Sequence, residues 1–133
     1  DIVNTASRLE GLNKFLGTRI LVSEDALTPH DGIMARGVGC FVLKGKSRPV
    51  RVHQLLPGDG VTAGMQEDMR RMMEAGLQTF GQRRWEESEE WFRRILRIDG
   101  TDGPALFYLE RCREFREQPP DQGWDGTVRL SQK

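Results

Sequence analysis

Val3, Ala6, Leu9, Leu12 and Leu16 recur at intervals of three and four residues, which puts them on one face of a helix that Gly17 ends. Asn4 and Arg8 lie four apart and off that stripe, on a common face of their own. Arg19-Ile20-Leu21-Val22 is a short strand-like run, and Ser23 is placed to cap a brief helix with Glu24 and Asp25 in its first turn. A turn-rich stretch, Thr28-Pro29-His30-Asp31-Gly32, leads to two strand segments, 35–43 and 50–56. In the second, Val50, Val52, Gln54 and Leu56 alternate with Arg51, His53 and Leu55. The basic connector Lys44-Gly45-Lys46-Ser47-Arg48-Pro49 has turn chemistry, so an antiparallel hairpin is the simplest geometry.

At Pro57-Gly58-Asp59-Gly60 the period changes from two to 3.6, and helical spacing then runs to Phe115. Met65, Met69, Met72, Met73, Gly76 and Phe80 mark one helix; Trp85, Ser88, Phe92 and Ile95 a second; Ala105, Tyr108, Leu109, Cys112 and Phe115 a third. Pro104 suits the first turn of the third, with Asp102 beside it. The stretch from Pro119-Pro120 to Lys133 is too rich in proline and polar residues for a long element, although Trp124 is expected to dock. The expected division is therefore residues 1–57, a linker at 58–64, and a helical extension at 65–133.

With 133 residues, one domain or a small one with an appendage is expected. A hydrophobic content of 37% is that of a globular chain. No run approaches the roughly 20 apolar residues of a membrane span, and no apolar stretch follows a basic start as in a signal peptide. The zero net charge conceals a split, since residues 1–57 sum to +3 and residues 58–133 to −3. Neither part is basic enough for a nucleic-acid partner. Cys40 and Cys112 stand in unrelated contexts and read as reduced, buried cytosolic thiols. The chain opens at Asp1 and enters a helix-start motif at once, as a piece of a longer protein would.

Two motifs that suggest chemistry fail on spacing. Gly45-Lys46-Ser47 would need a glycine at position 40 for a phosphate loop, where Cys40 stands, and Pro49 blocks the helix that should follow. His30 and His53 have no metal-ligand spacing to each other or to a cysteine. The first two helices, with Gly76 at a crossing, Trp85 opening the second, and Ser88 and Phe92 on its contact face, resemble a tetratricopeptide-type hairpin. The match is partial: Ser88 replaces alanine, and Gly100 replaces the closing proline. A single repeat buries little alone and must lean on other elements.

Asp1-Ile2-Val3-Asn4-Thr5-Ala6-Ser7-Arg8-Leu9-Glu10, the Arg19-Ile20-Leu21-Val22-Ser23 strand, Val42-Leu43-Lys44-Gly45-Lys46 and Pro49-Val50-Arg51-Val52 occur in this order. Together they resemble the C-terminal half of the catalytic domain of class III nucleotidyl (adenylate/guanylate) cyclases, over residues 1–56. The resemblance implies an α+β fold: the C-terminal half of a ferredoxin-like cyclase catalytic domain, followed by a small all-α helical-hairpin (TPR-like) extension. It implies that Asn4 contacts and orients the ribose, that Arg8 stabilises charge developing on the phosphates, and that Lys44 binds the terminal phosphates of ATP or GTP. Such roles suit an arginine's planar fork and a lysine's point charge.

The family's two metal-binding aspartates would lie upstream of Asp1, so Mg²⁺ or Mn²⁺ is expected in the complete enzyme with ligands outside this chain. Asp1 itself matches a helix-entry aspartate. Family members act as homodimers, with metal ligands from one subunit and the Asn/Arg pair from the other. Alone, this chain is expected to make no cyclic nucleotide. Trp85, Trp91, Asp102-Gly103-Pro104-Ala105, Pro119-Pro120 and Trp124-Asp125-Gly126 resemble the extension of bacterial adenylate cyclases, which favours ATP over GTP. In such proteins a membrane-spanning sensor often precedes the catalytic domain, so the expected location is the cytoplasm, free or as the cytoplasmic part of an anchored protein. The competing class is a catalytically inactive cyclase-like scaffold whose helical tail binds a protein partner. Glu86, Glu87, Glu89, Glu90, Arg93, Arg94 and Arg97 read more simply as solvated helix surface.

Overall fold

The computed structural model of the chain describes residues 11–13, 16–18, 21–24, 34–43, 47–56 and 62–129. The expected cap of a helix after Ser23, the 29–32 turn and the 57–60 boundary fall wholly or partly outside them. Residues 11–13 and 16 are helical, and Gly17 turns out of that helix with φ 65°, its N–H donating to the Asn13 carbonyl at 2.8 Å. A left-handed glycine is how many helices stop. Leu12 and Leu16 from the predicted stripe are buried in the core.

Strands β1 (Leu21–Ser23), β2 (Met34–Val42) and β3 (Pro49–Leu56) are antiparallel neighbours, in the spatial order β1-β3-β2. The hairpin read from the alternation is present. One face of it carries Arg36, Val38, Phe41 and Val52 inward, and the other presents Arg51 to solvent. Register shifts between Gly37 and Gly39, so Val38 is the extra residue of a β-bulge. Gly39 has φ 123°, and a Cβ there would sit 2.0 Å from the Tyr108 hydroxyl oxygen. That hydroxyl donates to the Val38 carbonyl at 2.7 Å.

Three helices follow: α1 (Ala63–Gly81), α2 (Trp85–Ile98) and α3 (Gly103–Glu117). Thr62 caps α1 by accepting from the Met65 N–H at 3.1 Å, and Asp102 caps α3 by accepting from the Ala105 N–H at 3.0 Å. At the α1–α2 crossing the missing Cβ of Gly76 makes room for Phe92, whose ring atoms lie 2.7 Å from where that carbon would be. Ser88 donates to the Gly76 carbonyl at 2.9 Å, and Phe92 stacks on Tyr108 with centroids 5.3 Å apart. Phe80, Trp85, Phe115 and Trp124 form an aromatic cluster whose six pairings all fall between 5.3 and 5.8 Å.

Trp124 thus docks as expected, and it brings back the tail. Arg83, a non-glycine residue with φ 65°, donates to the carbonyls of Pro120 and Asp121 and lies over the Trp124 ring. Strand β4 (Val128–Arg129) then pairs in parallel with Phe41 and Val42 of β2, extending the sheet to the order β1-β3-β2-β4. The result is an α+β arrangement with an open sheet and a C-terminal helical region. One hydrophobic cluster joins Val38, Phe41 and Val52 of the sheet to Met69, Met73, Phe80, Phe92, Ile95 and Tyr108 of the helices. Among the described residues no helix is long and apolar enough to cross a membrane.

Two sequence expectations shift. Glu89 is not solvated surface: its side chain is 2% exposed and is held by Arg93 and by Arg116 of α3, each at 3.0 Å. Cys112 is buried as expected, whereas Cys40 is half-buried, on the opposite face of β2 from Phe41.

Candidate functional site

The residues singled out in the sequence, Asn4, Arg8 and Lys44, lie outside the described residues. What the structure describes is the frame on either side of them. Downstream of Arg8 the chain is helical at 11–13 and 16, anchored by Leu12 and Leu16. Immediately before Lys44, β2 ends with Val42, and Leu43 is buried in the same core. Pro49 opens the returning strand opposite Val42.

Elsewhere in the fold, the hairpin, α1 and the tail line an open cleft of about 900 Å³. Arg51 and His53 of β3, Arg70, Glu74 and Gln78 of α1, and Asp125 of the tail supply its polar groups. Three of these are already engaged. His53 Nε2 lies 3.2 Å from a Glu24 carboxylate oxygen. Glu67 accepts from Arg70 and Arg71, and these hydrogen bonds hold its carboxyl down to about 2. The same contact raises the Arg70 guanidinium. The Thr127 hydroxyl and backbone lower the Asp125 carboxyl. Among the described residues the Arg51 and Gln78 side chains have no hydrogen-bond or ion-pair partner, and Glu74 acts on Arg70 only through its charge.

Burial pushes the Tyr108 phenol well above its usual range and the Cys112 thiol up to about 11, so both stay protonated. Among the described residues no three His, Cys, Asp or Glu side chains converge to hold a metal ion, so they offer no ligand set for the divalent ion that the resemblance implies.

One buried polar group went unnoticed in the sequence. The Arg36 guanidinium is fully buried on the core face of β2. Its Nε and Nη2 donate to Gln54 Oε1 at 3.0 and 2.8 Å, and Nη2 also donates to Asp102, whose side chain is 6% exposed. The other Asp102 oxygen caps α3. The remaining Arg36 nitrogen, Nη1, has no hydrogen-bond partner. The signal was an arginine at an inward position of the alternation, two residues before Val38; its partner, 66 residues away, gave none.

No protein-family model matches the chain, and no solved structure matches it. Among curated proteins it is similar to "Adenylate cyclase, terminal-differentiation specific" of Dictyostelium discoideum, 29% identical over 123 residues. That similarity covers 84% of this chain and 6% of the length of that protein.

Proposed function

We propose that this chain is the nucleotide-contacting half of a class III nucleotidyl cyclase, of ferredoxin-like fold, with a tetratricopeptide-like helical extension. The observation that carries the reading is the joint occurrence of Asn4, Arg8 and Lys44 within V-N-T-A-S-R-L and V-L-K-G-K, in family order. The similarity to the Dictyostelium protein supports it. Residues 1–56 are fewer than half of the 133, so a match over 84% of the chain also runs through the helical region. A pure interaction module has no reason to keep Asn4, Arg8 and Lys44 together.

In the proposed reaction the ribose 3′-oxygen bonds to the α-phosphorus of ATP and loses its proton. The bond from that phosphorus to the bridging oxygen of the β-phosphate breaks, and pyrophosphate leaves. Asn4 orients the ribose, Arg8 stabilises the charge that grows on the phosphates, and Lys44 neutralises the terminal phosphates. Divalent ions would supply activation of the hydroxyl from ligands contributed by other sequence. Such a half-site acts in a homodimer, opposite a partner's metal-binding half.

The test is cyclic nucleotide production from ATP, and in parallel from GTP, by the chain extended upstream and by the chain alone. The expected result is cyclic AMP from the extended protein and none from the 133 residues alone. Cyclic GMP as the main product would identify a guanylate cyclase. No product with Mg²⁺ or Mn²⁺ would leave a cyclase-like scaffold, with the helical region as the place to look for a protein partner.

A further inference from the structure

The helical region grips β2 along its whole length. Near the start of the strand, the buried Arg36 guanidinium binds Asp102 at the cap of α3. At the bulge, the Val38 carbonyl accepts from Tyr108 of the same helix. At the far end, Phe41 and Val42 pair with β4, which the tail delivers after Trp124 enters the aromatic cluster.

The residue after Asp102 makes a fourth contact. A Cβ on Gly103 would lie 1.8 Å from the Leu16 carbonyl oxygen and 3.0 Å from the Gly17 Cα, so Leu16 and Gly17 rest directly on the first residue of α3. Asp102 and Gly103 therefore touch two separate stretches of chain. One is β2, which runs into Lys44; the other is the segment downstream of Asn4 and Arg8.

A buried ion pair adds little net stability over apolar residues of equal volume, but it admits few geometries. Arg36 is fixed from a second side by Gln54 of β3, so the pair ties α3 to both strands of the hairpin. We propose that Arg36 and Asp102 are positioning residues for the nucleotide chemistry. They fix the strand leading to Lys44 against the segment that follows Arg8. The inference rests on the cyclase reading above, and it makes the helical extension an internal brace of the site.

The experiment uses the whole protein and an Arg36→Met/Asp102→Asn double variant. This substitution removes both charges together, and asparagine keeps the α3 cap. Melting temperature, amide exchange over residues 35–42, and kcat for cyclic nucleotide formation are measured side by side. The expected result is near-parental melting with faster exchange in 35–42 and a kcat lower by about tenfold, as slight misplacement of a catalytic cation produces. Parental exchange and parental kcat would overturn the proposal. A large fall in melting temperature would mark the pair as plain structural support and overturn it too. If the parent protein makes no cyclic nucleotide, the cyclase reading fails separately. The brace then stands on faster exchange at near-parental melting and falls on unchanged exchange.

Discussion

Gly76, Ser88 and Phe92 show how much a single position carries. The resemblance to a tetratricopeptide-type hairpin placed them at a helix crossing, and the structure supplies the reason: a ring occupies the space that a side chain at 76 would need. Gly76→Ala is expected to destabilise the protein by about 1–3 kcal/mol through overpacking, measured by chemical denaturation. Tyr108→Phe removes the donor to the Val38 carbonyl and leaves a buried acceptor unpaired, at a cost of about 1–3 kcal/mol.

The two thiols should separate cleanly. Cys112 is buried with its thiol pushed up to about 11, against an ordinary 9.0, while Cys40 is half-buried. Iodoacetamide at pH 8 is expected to label Cys40 first and Cys112 only on unfolding, as read by mass spectrometry. The raised value means that the folded state favours the neutral thiol. Its contribution to stability is therefore complete below pH 9 and is lost as pH rises through about 11. At this scale Glu89 was illegible. It sits among three other glutamates and three arginines of the same helix, and what distinguishes it is its burial against Arg116 of the next helix.

Among elements, α3 packs on α2 and also reaches β2 and the residues at Leu16. Its existence was readable from Ala105, Tyr108, Cys112 and Phe115, and its start from Asp102 and Pro104. Its role was not, because Arg36, Val38 and Leu16 meet it only through long-range packing. Two substitutions at Asp102 separate its two tasks. Asp102→Ala removes a cap worth about 1 kcal/mol and strands the Arg36 charge, where breaking a buried pair costs about 3–5 kcal/mol. Asp102→Asn keeps the cap and loses only the charge, so its unfolding free energy should lie between those of the parent and the alanine variant. Equal losses for the two variants would remove the cap from the explanation. The hairpin of β2 and β3 was legible from the alternation along β3 and the turn chemistry of the connector before it, but the bulge at Val38 was not. It depends on a hydroxyl arriving from residue 108.

At the scale of the molecule, strands and helices contribute to one hydrophobic cluster, and the tail closes it by returning to the edge of β2. A two-residue strand in a polar, proline-containing stretch carries no periodicity, so β4 could not be foreseen, whereas the docking of Trp124 could. Trp124→Ala empties a place among Phe80, Trp85 and Phe115 and is expected to cost about 3 kcal/mol, with loss of amide protection at Val128. The proposed site was legible only as motifs. Asn4, Arg8 and Lys44 stand out because their contexts resemble one family in the right order, while the frame that supports them is tertiary.

The most direct measurement compares kcat and KM for ATP in the upstream-extended protein and its Arg8→Ala variant. An arginine that meets charge formed mainly in the transition state should, when removed, lower kcat by about 10²–10³ with little change in KM. A variant with parental kcat, or one altered in KM alone, would contradict the role assigned to Arg8 and with it the account of this chain as half of a cyclase active site.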